Sequence, residues 1–151
     1  MSETQEMNKA RKEWMSVLAK APPQLLRGLA ERLDRVPSFD WLRPPEIGGV
    51  MVRGRMGGMG EPFNVGEMTV TRCALRLESG EVGHAYVQGR DKEHAKFAAV
   101  VDALMQTARA GETRATILDP LEEHAKKRRR LREQKAGATK VDFFTMVRGE
   151  D

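Results

Sequence analysis

The chain has 151 residues, of which 40% are hydrophobic and 32% charged, and its formal net charge is +4. This length fits one domain with a modest core. No stretch approaches the roughly 20 apolar residues of a membrane span, and the charged N-terminus contains no apolar signal-peptide segment. The lone cysteine, Cys73, excludes an intrachain disulfide and fits a reducing compartment. We therefore expect a cytoplasmic protein.

The N-terminal third predicts two helices within residues 8–35. Their apolar positions recur at helical spacing on both sides of Pro22-Pro23, a dipeptide that ends one helix and can begin another. Pro37, Pro44 and Pro45 then indicate an irregular link. After this link, Ile47–Met56 is expected to form a strand.

The middle of the chain predicts a β-hairpin. Residues alternate over Glu67–Glu78, with Thr71, Cys73, Leu75 and Leu77 on one side. Ser79-Gly80 is a turn signal, and Val82–Gln88 provides the second strand. The hairpin implies antiparallel pairing.

The C-terminal half predicts two more helices. Asp91 can cap a helix that continues to Gly111, and Asp119-Pro120 can begin another that runs through basic residues towards Gly137. The apolar segment 141–151 is rich in strand formers, and we expect it to be extended and held by a neighbouring surface.

Together these elements predict a single α+β domain over residues 1–151. It has an antiparallel sheet with helices packed on one face, an N-terminal helical hairpin and an extended C-terminal segment. Its parts are the N-terminal helices at 8–35, the sheet and main helix at 47–110, the basic helix at 119–136 and the C-terminal docking segment at 141–151.

A glycine- and arginine-rich stretch, Arg53–Gly66, lies between two predicted strands. Glycines let backbone N–H groups approach an anion, and arginine offers two parallel donors to phosphate. The anion-binding candidates in this stretch are Arg55, Gly57, Gly58 and Gly60. The stretch matches neither the Walker spacing nor a dinucleotide fingerprint. A tight loop in which glycine supplies positive φ and the arginines are solvated is a slightly stronger alternative.

Two further arginines are candidates for anion or carboxylate contacts. Arg90 follows a strand and precedes the helix capped by Asp91, where free N–H groups attract an anion. Arg72 lies on the predicted hairpin. The simpler interpretation is that Asp91 itself occupies the helix end and Arg90 pairs with a surface carboxylate.

The basic run Lys126–Arg132 suggests nucleic-acid binding, but no aromatic residue interrupts it and no groove-reading motif accompanies it. A solvated helix face is the favoured interpretation, and a nucleic-acid-binding module remains the alternative function.

Other reactive residues form no recognisable constellation. His84, His94 and His124 lie on different elements without ligand spacing, so no metal site is expected. Cys73 has no histidine placed as a base, and a buried structural cysteine is favoured. The sequence contains no nucleophile elbow and no paired-carboxylate pattern, so no catalytic residue is assigned.

Several blocks together resemble the G subunit of the bacterial carbon-phosphorus lyase core complex. The resemblance covers residues 11 to 150 and is loosest from Arg109 to Lys140. The blocks, in chain order, are Glu13–Ala19, Arg55–Glu67, Thr69–Arg72, Gln88–Lys92, Asp102–Gln106 and Val141–Gly149.

The resemblance implies a hetero-oligomer with H, I and J subunits and associated ATP-binding-cassette-like proteins. It also implies a reaction in which an alkylphosphonate is attached to ribose C1 of ATP with loss of adenine. The product is a ribose 1-alkylphosphonate 5-triphosphate. The J subunit is implied to use an iron–sulfur cluster with S-adenosylmethionine, whereas this chain binds no cofactor, membrane or nucleic acid.

The resemblance also assigns a role to the terminal segment. Phe143, Phe144, Met146, Val147 and Arg148 are expected to form a partner interface, since aromatic residues and methionine concentrate in interface cores. An independent transferase or hydrolase, suggested by the glycine-rich stretch alone, is a third possibility.

Overall fold

The computed structural model describes residues 2–55 and 60–149; for 64, 65 and 138–149 it describes the backbone. The helices are α1 (Glu3–Lys20), α2 (Pro23–Ala30), α3 (Lys92–Leu104), α4 (Ala110–Thr113) and α5 (Asp119–Gly149), with a π-helical turn at Arg114–Leu118. The strands are β1 (Phe39–Arg55), β2 (Pro62–Leu77) and β3 (Val82–Gln88). This architecture confirms the predicted α+β class.

The two N-terminal helices meet at Pro22. Helix α1 begins earlier than predicted, because Ser2 and Gln5 form a capping box that satisfies donors at its start. Helix α2 has Pro23 at its first position and ends at Ala30, short of the predicted Arg35.

The sheet is antiparallel, in the order β1-β2-β3. The β2–β3 hairpin is as predicted: Val70 pairs with Gln88, and Arg76 with Val82. Gly80, at φ 103°, supplies the left-handed conformation that the turn requires. Within β2, Thr71, Cys73, Leu75 and Leu77 are buried, so the side of the strand that carries them faces the core.

Strand β1 is much longer than the sequence predicted. Residues 39–46, expected to be an irregular link, pair with the C-terminal half of β2. Pro44 and Pro45 are tolerated because β1 is an edge strand, and the register shifts on either side of Arg43 accommodate them.

The core lies between the inner face of the sheet and α3. Helix α3 is buried almost continuously from Ala98 to Leu104, and α1, α2 and the π turn complete the cluster. At Gly83 the helix approaches β3 so closely that an added Cβ would lie 2.0 Å from the carbonyl oxygen of Ala99. Only glycine fits this contact without a shift of the backbone.

The C-terminal helices differ from the prediction in two respects. Asp119 is not a helix cap, because α4, the π turn and α5 follow one another without a break. The N–H of Asp119 donates to the carbonyl of Arg114, five residues earlier. The wider turn relieves the clash that Pro120 would cause with the preceding turn of an α-helix.

The second difference concerns segment 141–149, which continues α5 and is not extended as predicted. Gly137 does not end the helix, because one glycine in a helix interior costs only about 1 kcal/mol. The strand formers do not decide the backbone here, since a short apolar run fits helix and strand equally well. The predicted interface residues Phe143, Phe144, Met146, Val147 and Arg148 lie outside the described side chains.

Candidate functional site

The described parts of the glycine- and arginine-rich stretch, Arg53–Arg55 and Gly60–Gly66, lie at the far end of the β1–β2 pair. Arg53, Gly54 and Arg55 pair with Asn64, Phe63 and Pro62. Gly57 and Gly58 lie outside the described residues, and Gly60 is half-buried at a bend. Positive φ among the described glycines occurs at Gly80 and Gly89. Gly54 and Gly66 of this stretch lie within strands β1 and β2, so these two glycines do not adopt the left-handed conformation that the loop interpretation invoked.

The ribbon consists of Gly49–Arg55 paired with Pro62–Thr69, beyond the last pair between β2 and β3, Val70 with Gln88. Large apolar side chains are exposed on both of its faces. Met51 points to one face and Val50 and Val52 to the other, and Phe63, opposite Gly54, is also exposed. A two-stranded ribbon is marginally stable alone in water, and exposed apolar patches mark interaction surfaces.

The candidate arginines do not converge on one site. Arg55 lies opposite Pro62, ten residues along β2 from Arg72, which corresponds to about 33 Å of strand. Arg72 is exposed, and its Nε lies 3.7 Å from a carboxylate oxygen of Glu46. Arg90 is exposed two residues beyond Gln88, whose partner Val70 is near Arg72. Within one chain, Arg55 and Arg72 are therefore too far apart to bind the same small anion.

The N-terminus of α3 is already capped. The Asp91 carboxylate accepts a hydrogen bond of 3.0 Å from the backbone N–H of His94, as the sequence predicted. Gly89 has φ 99°, and its carbonyl accepts a 2.8 Å bond from the Thr71 hydroxyl. This geometry matches the simpler interpretation, in which Asp91 occupies the positive end of the helix.

A buried carboxylate that the sequence analysis did not single out joins three elements. Asp102 is fully buried; its Oδ1 accepts from Arg11 Nε at 3.1 Å and Trp14 Nε1 at 2.8 Å, and its Oδ2 accepts from Arg11 Nη2 and the His84 backbone N–H, both at 2.9 Å. The hydrogen bond to Asp102 raises the pKa of Arg11, and burial partly opposes this rise. An acidic residue within the otherwise apolar run Ala98–Leu104 was the signal for this cluster.

The remaining reactive groups are structural. The buried Cys73 thiol donates to the carbonyl of Ala95 at 3.3 Å, and burial raises its pKa to about 11. His94 is buried, with Nε2 2.8 Å from the carbonyl oxygen of Leu18. Within the described ranges no group of three His, Cys, Asp or Glu side chains is arranged to hold a metal ion. The helices described by the structure include none that is long and apolar enough to cross a membrane.

These features define a class of protein: a small α+β chain whose most prominent surface feature is a two-stranded ribbon with exposed apolar side chains on both faces. The comparisons give the family. The model of the family described as "Phosphonate metabolism protein PhnG" matches residues 9–149. A protein of Rhizobium meliloti (strain 1021), named alpha-D-ribose 1-methylphosphonate 5-triphosphate synthase subunit PhnG, is 43% identical over 141 residues. That alignment covers 93% of this chain and 90% of the relative. The chain therefore belongs to the PhnG family of phosphonate metabolism proteins, and the resemblance stated from the sequence is confirmed.

Proposed function

We propose that this chain is an accessory subunit of a ribose 1-methylphosphonate 5-triphosphate synthase in the cytoplasm. With its partner chains it supports the conversion of ATP and an alkylphosphonate to a ribose 1-alkylphosphonate 5-triphosphate. In this reaction the bond between ribose C1 and adenine breaks, and a bond from ribose C1 to a phosphonate oxygen forms. The name of the Rhizobium meliloti relative supports this proposal.

The observation that supports the subunit role best is the ribbon. Its apolar side chains on both faces are 36–52% exposed, and they lie beyond the last pair between β2 and β3. Burying apolar surface stabilises association by about 25 cal/mol per Å² before the costs of ordering are subtracted. A ribbon inserted between partner surfaces would gain this contribution on each face.

The partners in this proposal are the H, I and J subunits, with ATP-binding-cassette-like proteins attached to the assembly. Cofactor chemistry belongs to the partners: ATP is a substrate of the complex, and the J subunit holds an iron–sulfur cluster used with S-adenosylmethionine. The chain itself contributes surfaces and not catalytic groups.

The arginines serve separate contacts in this proposal. The strand separation of about 33 Å between Arg55 and Arg72 supports contacts with different partner carboxylates or phosphates. Arg90, near Arg72, and Arg148, in the terminal segment, are assigned the same kind of contact. The backbone N–H groups of Gly57, Gly58 and Gly60 are proposed to contact a partner or a phosphate.

The central test is reconstitution. The tagged full-length chain should co-purify with its partner subunits in moderate salt, and adenine release from ATP and methylphosphonate should require both the chain and its partners. Adenine release by the isolated chain would show an independent enzyme. Association only with nucleic acid, lost steeply as salt rises, would support the alternative function.

The terminal segment has its own test. Deleting Val141–Asp151 should leave the core folded, because among the α5 side chains that the structure describes it is Leu121, near the start of the helix, that belongs to the core cluster. It should also weaken assembly, because the deletion removes the proposed interface residues. Assembly equal to that of the intact chain, measured by co-purification at matched expression, would refute the docking role.

A further inference from the structure

A groove of about 430 Å³ lies between the end of α1 and the first half of α5. Its walls include the apolar side chains of Val17, Leu121 and Ala125. Volumes of this size are typical of small-ligand sites. The groove is separate from the ribbon and from the three candidate arginines described above.

Basic side chains line this groove from both helices. Lys20 comes from α1, and His124, Arg128, Arg129 and Arg132 come from α5. His124, Arg128 and Arg132 are spaced by four residues, so they share one face of α5 and span about 12 Å along its axis. Four permanent positive charges therefore border one short groove.

None of the described acidic side chains lies within 4 Å of these four cations. The ion pairs among the described side chains use other cations: Arg11, Arg27, Arg72, Arg109 and Arg114. Glu122, which follows the groove residue Leu121, has its Oε1 3.5 Å from Nη1 of Arg114, a cation outside the groove. The helix dipoles add little, because the negative end of α1 and the positive end of α2 meet beside Pro22.

We propose that this groove binds an oligophosphate group, either free or as part of a nucleotide or sugar phosphate. Successive phosphates concentrate negative charge over a short length, and each offers oxygens that match the two parallel donors of an arginine. The proposal goes beyond the function proposed above, since it concerns a property of this chain alone.

Nucleic acid is a poorer match for the groove. A strand needs an extended basic track with aromatic side chains for base stacking, and no aromatic side chain lines the described groove. An acidic peptide is also a poorer match, because its carboxylates are spread along a backbone with a rise of about 3.3 Å per residue. The short, closely spaced arginine row favours the denser charge of linked phosphates.

The test compares two double variants of the full-length chain that each remove two charges. R128Q/R132Q removes cations that line the groove, whereas K127Q/R130Q removes exposed cations of the same helix that do not. Binding of inorganic tripolyphosphate, ATP and inorganic phosphate is measured by calorimetry at low and moderate salt. Circular dichroism checks that both variants keep the fold, as expected for exposed positions.

We expect tripolyphosphate to bind at one site per chain and more tightly than inorganic phosphate. R128Q/R132Q should weaken it roughly tenfold or more, since two charge-assisted contacts are lost, while K127Q/R130Q changes it less than about twofold. If ATP binds more tightly than tripolyphosphate, the oligophosphate group that the groove recognises is part of a nucleotide. If the two bind equally, the groove recognises the oligophosphate alone. Equal weakening by both variants, no saturable binding, or preferential binding of an oligonucleotide or a polyglutamate peptide would overturn the proposal.

Discussion

Asp102 joins α1, β3 and α3, and its replacement by asparagine should destabilise the chain. Asp102 Oδ2 accepts hydrogen bonds from Arg11 and from the His84 backbone N–H. In the asparagine variant an amide nitrogen, itself a donor, would face these donors. We expect a loss of about 2–3 kcal/mol, below the usual cost of breaking a fully buried ion pair, because a third of the Arg11 side chain is exposed. The measurement is the free energy of unfolding in urea.

The matched control for this variant is Asp119→Asn. Asp119 is also an aspartate paired with an arginine, but its side chain is 59% exposed and lies 3.8 Å from Arg114. Its replacement should change the free energy by less than about 0.5 kcal/mol. Equal effects of the two variants would contradict the structural role assigned to Asp102.

Cys73 should resist alkylation while the chain is folded. Its side chain is buried and its pKa is raised to about 11, so at pH 8 both the thiolate fraction and the access of reagent are low. Iodoacetamide should modify the chain rapidly in urea and slowly in its absence, as followed by mass spectrometry. Comparable rates in the two conditions would show that the thiol is accessible.

The same pKa shift predicts a loss of stability in alkali. The folded state holds the Cys73 proton more tightly than the unfolded state, so the contribution is complete below the ordinary pKa of 9.0 and declines as pH rises through about 11. The Cys73→Ala variant lacks this ionisation. The difference in unfolding free energy between the two proteins should therefore fall over that pH range and not below it.

Residue-scale prediction from sequence succeeded where partners are close along the chain. Asp91 was identified as a cap because it accepts from an N–H only three residues away. The role of Asp102 was missed because its side-chain partners Arg11 and Trp14 lie 91 and 88 residues earlier. No local rule connects residues at that separation.

At the scale of elements, the contact of α3 with β3 depends on Gly83. An alanine Cβ would meet the Ala99 carbonyl oxygen at 2.0 Å, and backbone on both sides leaves no flexible group to yield. We expect Gly83→Ala to reduce the free energy of unfolding by about 3 kcal/mol through overpacking.

Gly28→Ala is the control for this variant. Gly28 has open space around it within α2, so alanine should stabilise the chain by about 0.5–1 kcal/mol. If urea unfolding showed that both variants change the free energy of unfolding in the same direction, the close approach of α3 to β3 would be refuted.

The elements predicted well were those with one periodic pattern and local end signals. β2, β3 and the start of α3 are of this kind, because alternation, the Ser79-Gly80 turn and the Asp91 cap all agree. β1 was predicted too short, since Pro44 and Pro45 normally interrupt strands and only the tertiary position at the sheet edge allows them. The continuity of α5 was missed because neither Pro120 nor Gly137 breaks the helix in this context.

At the scale of the whole molecule, the exposed ribbon could not be predicted from the sequence. Val50, Met51 and Val52 form a continuous apolar run, which is also typical of a strand buried on both faces. Their exposure follows from the end of β3 at Gln88, opposite Val70. The resemblance to a family of complex subunits gave the functional class before the surface was known. The structure adds the surface through which such a subunit can be tested.

The ribbon therefore receives the last prediction, which compares two equally exposed apolar residues. Met51 in the ribbon is 52% exposed, and Leu131 in α5 is 51% exposed. Replacing either by lysine should leave the unfolding free energy of the chain within about 0.5 kcal/mol, because neither residue packs in the core and Met51 lies opposite Glu67, which can pair with a lysine. Met51→Lys would place a charge against an apolar partner surface and should reduce co-purification of partner subunits roughly tenfold or more, whereas Leu131→Lys should not. Val52→Lys places a charge on the opposite face of the ribbon. If both ribbon variants lose their partner subunits, the partners contact both faces of the ribbon. If one variant alone loses them, the partners contact a single face. If both ribbon variants retain their partner subunits, the ribbon is not part of the surface that binds them.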